Sequence, residues 1–182
     1  MIGDKQKGVT LIEMMVAAVV FSIVFAVCSG VFVSAIKIQK YNLSQHQLMD
    51  ETAYAIEYIS RALRMAQMDE SNLCDNGVVN YAIKDGGSRI EFLNYKGECQ
   101  EFYWDVNSEQ IKVTGGGFTG DIPLTSSKYT VNDLNFVLTG DDVIGDNFQP
   151  KVTFFLDVES KLLQDKPRIK LQTSISQRNL DK

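Results

Sequence analysis

The sequence predicts an α+β protein, in which a long N-terminal transmembrane helix continues into an amphipathic helix packed on an antiparallel β-sheet head. Three observations predict it. Residues 14–36 contain no charged side chain, a run longer than the roughly 20 residues a helix needs to cross hydrocarbon. No proline interrupts residues 9–68, so helical order can run on past the apolar stretch. Beyond residue 72 the apolar residues recur at the spacing of strands instead of at helical spacing. A length of 182 residues fits one domain plus such an appendage. A net charge of -5 argues against a general nucleic-acid binder, which needs clustered Lys and Arg.

Residues 1–8, MIGDKQKG, form a short polar leader with Lys5 and Lys7, and an apolar helix follows at once. Secretory signals share this outline, but Glu13 stands inside the apolar part, flanked by Leu11, Ile12, Met14 and Met15. A charged side chain at a helix centre in lipid costs on the order of 2.5 to 3.5 kcal/mol even on the lenient insertion scale, so a partner should offset it. Cleavage after Gly8 would create an amine on Val9, one helical turn from Glu13 and on the same face. A lipoprotein signal fits less well, because Val27 and not a small residue precedes Cys28.

The run Lys7-Gly8-Val9-Thr10-Leu11-Ile12-Glu13-Met14-Met15 closely resembles the class III leader of type IV prepilins. The resemblance rests on a basic residue before Gly, a T-L-I-E core and an uninterrupted apolar tail. It implies cleavage between Gly8 and Val9 by a prepilin peptidase, N-methylation of Val9, and a Glu13 that meets the terminal amine of a neighbouring subunit during assembly. It also implies residues 1–8 in the cytoplasm, a single pass through the inner membrane, a head outside the cytoplasm, and later extraction into a pilus or pseudopilus. The partners implied are membrane lipid before assembly, other pilin or pseudopilin subunits, and the inner-membrane assembly platform. Val9 departs from the commoner Phe.

The expected organisation is therefore a leader at 1–8, a membrane and filament-core helix at 9–36, and a pilin-like head at 37–182. Within the head, helix 37–68 carries Met49, Ala53, Ile56, Ile59, Leu63 and Ala66 at spacings of three and four, which predicts one buried stripe. Gly30 lowers helix propensity and Ser22, Ser29 and Ser34 compete for backbone hydrogen bonds, so two readings stand equally: the rod softens there, or Gly30 is a small residue that allows close helix contact. Cys28 reads as a small packing residue. The single histidine, His46, has no nucleophile or orienting acid near it in sequence and reads as a solvated helix residue, with no catalytic constellation around it.

Strands are expected at 78–83, 89–95, 99–106, 110–114, 134–139, 151–158 and 169–176. The segment Lys96-Gly97-Glu98 joins the second and third as a hairpin. In the last strand Ile169, Leu171, Thr173 and Ile175 alternate with Lys170, Gln172, Ser174 and Ser176, which predicts one buried and one exposed face. Trp104, Phe136, Phe154 and Phe155 read as core. Gly115-Gly116-Gly117 reads as a flexible turn and not a phosphate loop, since no Lys-Ser/Thr follows.

Cys74 and Cys99 are the candidate disulfide pair, consistent with an oxidising compartment, the alternative being two unpaired thiols. No cofactor is expected. Asp141, Asp142, Asp146 and Asn147 place hard oxygen ligands close together, as calcium requires, but the spacing is not that of an EF-hand and a solvated acidic loop is the favoured reading. The ending from Pro167 to Asn179, and Ile59-Ser60-Arg61-Ala62-Leu63-Arg64, also resemble minor pilins of the W type and the J-type pseudopilin of type II secretion. That likeness implies a structural, non-enzymatic minor subunit. A major pilin, or a tip module for adhesion or DNA capture, is the alternative.

Overall fold

A computed structural model describes residues 8–74, 77–140 and 149–178. The chain divides into two units, Met1–Asn42 and Leu43–Lys182. One helix, α1 (Leu11–Arg64), contributes to both. The expected α+β layout is observed, a long apolar helix followed by antiparallel sheet.

In the first unit α1 has no buried face: Leu11, Phe21, Phe25 and Phe32 are all exposed. The helix is long and apolar enough there to cross a membrane. Two of its hydroxyls are satisfied without any neighbour, since Ser22 Oγ donates to the Ala18 carbonyl at 2.7 Å and Ser29 Oγ to that of Phe25 at 2.8 Å. Such back-bonding bends helices more than it breaks them, and α1 passes through Gly30 without interruption.

In the second unit α1 buries Ser44, Leu48, Thr52, Ala55, Ile59 and Leu63. This corrects the expected stripe at its first half. Met49 is 46% exposed and Ala53 is exposed, while the buried positions include two hydroxyls that hydropathy would not select. Each hydroxyl has a partner: Ser44 Oγ meets Ser160 Oγ at 3.1 Å, and Thr52 Oγ1 donates to the Leu48 carbonyl at 2.6 Å. The helix also stops at Arg64, short of residue 68. Its last turn tightens, with the Ala66 N–H donating to the Leu63 carbonyl. Gln67 then donates its N–H to the Leu93 carbonyl and forms a bridge to the sheet.

The head contains two antiparallel sheets where one was expected. The first holds β1 (Ala82–Lys84), β2 (Arg89–Leu93), β3 (Cys99–Asp105), β4 (Gln110–Gly115) and β5 (Phe118–Pro123) in sequential order. The second holds β6 (Tyr129–Thr139), β7 (Lys151–Ser160) and β8 (Arg168–Ser176), also in order. The break falls after β5, whose Pro123 lacks an N–H to pair with a further strand. The chain crosses over, and Val131 of β6 donates its N–H to the Glu109 carbonyl between β3 and β4.

One core joins α1 and both sheets. Phe102 lies tilted at 5.6 Å from Phe92 and edge-on at 6.0 Å to Tyr58 of the helix, and Phe136 lies 5.6 Å from Phe154 across β6 and β7. Phe155 is not core, because adjacent residues of a strand face opposite sides and Phe154 takes the inside. Trp104 is half-buried.

The first strand is shorter than the expected 78–83, because the Val79 carbonyl accepts the Asp69 N–H and holds that stretch to the helix exit. The strand β5 was not expected at all. It is exposed at every position, and Gly120 and Pro123 disguise it. The Gly115–Gly117 turn before it is tightly packed and not loose: a Cβ on Gly115 would come within 2.1 Å of the Cys99 carbonyl oxygen. Gly87 is similarly constrained, with φ +110° and Asn135 of β6 pressed against it.

Candidate functional site

The N-terminal residues form the candidate site, and its geometry is local. Gly8 and Val9 precede the helix and are exposed, and a Cβ added at Gly8 would touch nothing within 4 Å. The fold itself therefore makes no demand for glycine there. Thr10 stands at the helix N-cap. Its Oγ1 accepts the Glu13 N–H at 3.3 Å, while Glu13 Oε2 accepts both the Thr10 N–H and the Thr10 hydroxyl at 3.3 Å. This reciprocal arrangement is a capping box, which satisfies two of the donors that a helix start leaves orphaned.

The capping box was legible as Thr-x-x-Glu ahead of an apolar run. It makes Thr10 a functional residue that the reading of Gly8, Val9 and Glu13 left out. The contacts are long for charge-assisted bonds, so the carboxylate is held but not saturated. Around it lie Ile12, Val16, Ala17 and Val20, an apolar surface that offers Glu13 no counter-charge from the described chain.

The structure joins Cys74 and Cys99, with Cα atoms 5.6 Å apart, and ties the helix-exit loop to the start of β3. Buried Asp69 orders the same loop by accepting the Leu73 and Cys74 N–H groups at 2.9 and 2.8 Å. Cys28 is an exposed free thiol on α1. His46 is exposed on the same helix.

The acidic positions Asp141, Asp142, Asp146 and Asn147 lie outside the described residues. Among the described residues no cluster of three His, Cys, Asp or Glu side chains could hold a metal. Elsewhere in the head, Lys112 and Ser108 hold the Asp105 carboxyl well below its ordinary range. Burial and the neighbouring Asp121 push the Tyr103 hydroxyl up to about 12.

Residues 3–29 match the family model of the prokaryotic N-terminal methylation motif. No curated protein and no solved structure matches the chain. The matched segment contains Gly8, Val9, the capping box and most of the exposed apolar helix, so the N-terminus carries a type IV pilin-like leader signal joined to a membrane-anchoring helix.

Proposed function

We propose that the chain is a minor pilin or pseudopilin, a structural subunit made as a membrane-anchored precursor and assembled into a type IV pilus or a type II secretion-like filament. A prepilin peptidase cuts after Gly8 and Val9 is N-methylated. The N-terminal helix, first held in lipid, then packs among the helices of other subunits at the inner-membrane assembly platform. The minor role rests on the resemblance of the C-terminal strand and tail.

The observation that carries this reading is a single acid, Glu13, at the head of an exposed uncharged helix within the matched motif. Two unit charges about 4 Å apart gain roughly 4 kcal/mol at an effective dielectric near 20. That is comparable to the cost of holding a carboxylate in the membrane. The Val9 amine of a neighbouring subunit supplies the charge. In the uncleaved chain the Thr10 capping bonds are the hydrogen bonds that support Glu13, and being neutral they leave it open to a charged partner.

Intact mass of the chain expressed with its cognate peptidase tests the first step: a mature protein beginning at Val9 is expected, and any other terminus overturns the proposal. Glu13→Ala should still be processed and inserted, but its incorporation into filaments should fall by about tenfold or more, as the loss of an interaction worth over 1.4 kcal/mol requires. Incorporation at the wild-type level would remove the charge pairing.

A further inference from the structure

Met49 and Ala53, which the head leaves exposed, and Ile56, which is partly buried against the core, line an open groove of about 710 Å³ with Ile169 and Leu171 of β8. Arg61, Arg64 and Arg178 stand around it, and Glu57 is its one acid. Glu57 already pairs with Arg61 at 2.9 Å. Arg64 and Arg178 have no ion-pair partner among the described residues. In a chain of net charge -5 this is a local reversal of sign.

Beside the groove runs an open sheet edge. The Ser160 N–H donates to the Pro167 carbonyl and the Gln177 N–H to that of Pro150, which fixes the phase of the ladder between β7 and β8. By antiparallel alternation the backbone groups of Ile169, Leu171, Thr173 and Ile175 face β7. Those of Lys170, Gln172 and Ser174 face away from it. Ser176 follows in the outward series, and after it the Arg178 N–H donates to the Arg64 carbonyl at 2.9 Å, so α1 closes one end of the edge, while the outward groups from Lys170 to Ser176 have no backbone partner among the described residues.

The other edges of the described sheets are guarded. The strand β1 has three residues, β5 carries Gly120 and Pro123, and β6 packs its buried residues against the first sheet. Proline, brevity, cover and charged side chains are the ordinary defences of an edge. The nine-residue β8 has only two cations, Arg168 and Lys170, and both already pair with Asp157 of β7. The charge selection falls to Arg64 and Arg178 at the groove, which repel a basic strand and admit an acidic one.

We propose that this edge and groove receive an extended segment of a different subunit, added as a further strand beside β8, with alternate apolar side chains against Met49, Ala53 and Ile56 and carboxylates toward Arg64 and Arg178. Main-chain hydrogen bonds give such strand addition its affinity and side-chain pockets its selectivity. A contact between two unlike surfaces builds an open filament wherever the rotation between subunits does not close a ring. Nothing in it requires cleavage at Gly8, so it stands or falls separately from the processing of the N-terminus.

The test uses the uncleaved full-length chain in detergent micelles and two short synthetic peptides, each alternating valine and threonine, one ending in glutamates and the other in lysines. The glutamate peptide should bind saturably and about tenfold more tightly than the lysine one, and it should slow amide exchange at Lys170, Gln172 and Ser174. Gln172→Pro should abolish this binding without lowering the melting temperature, because the N–H it removes points away from β7. The double variant Arg64→Glu and Arg178→Glu should reverse the preference between peptides. Absent or equal binding, binding that survives Gln172→Pro in a folded protein, or uptake into micelles without slowed exchange at the β8 amides would each overturn the proposal.

Discussion

The two parts of α1 are built from similar apolar residues and meet opposite fates. In the first unit Val20, Phe21 and Val24 are exposed, whereas in the second Leu48, Ile59 and Leu63 are completely buried. The difference teaches that the solvent, and not the propensity, assigns the role of each part. A helix that is apolar all round needs an apolar medium or like helices. One with a stripe needs a sheet, and the head supplies two.

The largest expected effect separates these parts directly. Leu63→Ala empties a fully buried site under the sheets and should lower head stability by about 2 to 5 kcal/mol in chemical denaturation. Val20→Ala should leave head unfolding unchanged, within about 0.5 kcal/mol. Equal losses would mean that the exposed segment contributes to the head's core and would break the comparison. Reducing the disulfide comes next. The Cys74–Cys99 link closes a 25-residue separation, and its loss should cost the head about 3 kcal/mol, read as a fall in melting temperature with reductant. A Cys74→Ser and Cys99→Ser variant should match the reduced protein and show no further response to reductant.

A smaller effect sharpens the first unit. Thr10→Val removes the hydroxyl half of the capping box and should destabilise the start of α1 by about 1 kcal/mol. Amide exchange at Glu13 and Met14 should quicken by roughly fivefold while the head's amides are unaffected. An unchanged rate would show that the carboxylate of Glu13 caps the helix without the Thr10 side chain.

The sequence disclosed the two parts unequally, for physical reasons. Gly8, Val9 and Glu13 belong to a contiguous motif, so they could be read in a line, and the apolar run that follows needs only its composition to be recognised. The β2–β3 hairpin was equally local: its register, Leu93 opposite Cys99, follows from the short Gly97 connection. The burial of α1 was not local. Two apolar stripes lie side by side, and only the Ser44–Ser160 contact and the sheets' placement decide that Leu48, and not Met49, turns inward. The second sheet was hidden for the same reason, since the separation of β6 from β5 depends on a crossover that no single segment encodes. Phe155 was misread because a pair of adjacent aromatics looks like core although a strand can bury only one of them.

The weakest expected effect is electrostatic and belongs to the head alone. Arg168 forks across Asp157 at 2.6 and 2.5 Å, and this pairing holds the Asp157 carboxyl below its ordinary range. A depressed carboxyl pKa stabilises the fold above the unfolded value, near 4, and that contribution fades as pH falls through the folded value. The melting temperature of the head should therefore drop as pH is lowered from about 5 to about 3. Arg168→Gln should flatten part of that slope and cost little at neutral pH, because the Arg168 side chain is half exposed and solvent screens the pair. The first unit presents Glu13 as its one described acid, bound to its own helix terminus, so the position of this acid transition should be unaffected by Glu13→Gln. A shift in the head's acid unfolding caused by Glu13→Gln would show that the two parts share a titration. The contrast between a part governed by its medium and a part governed by its core would then no longer hold.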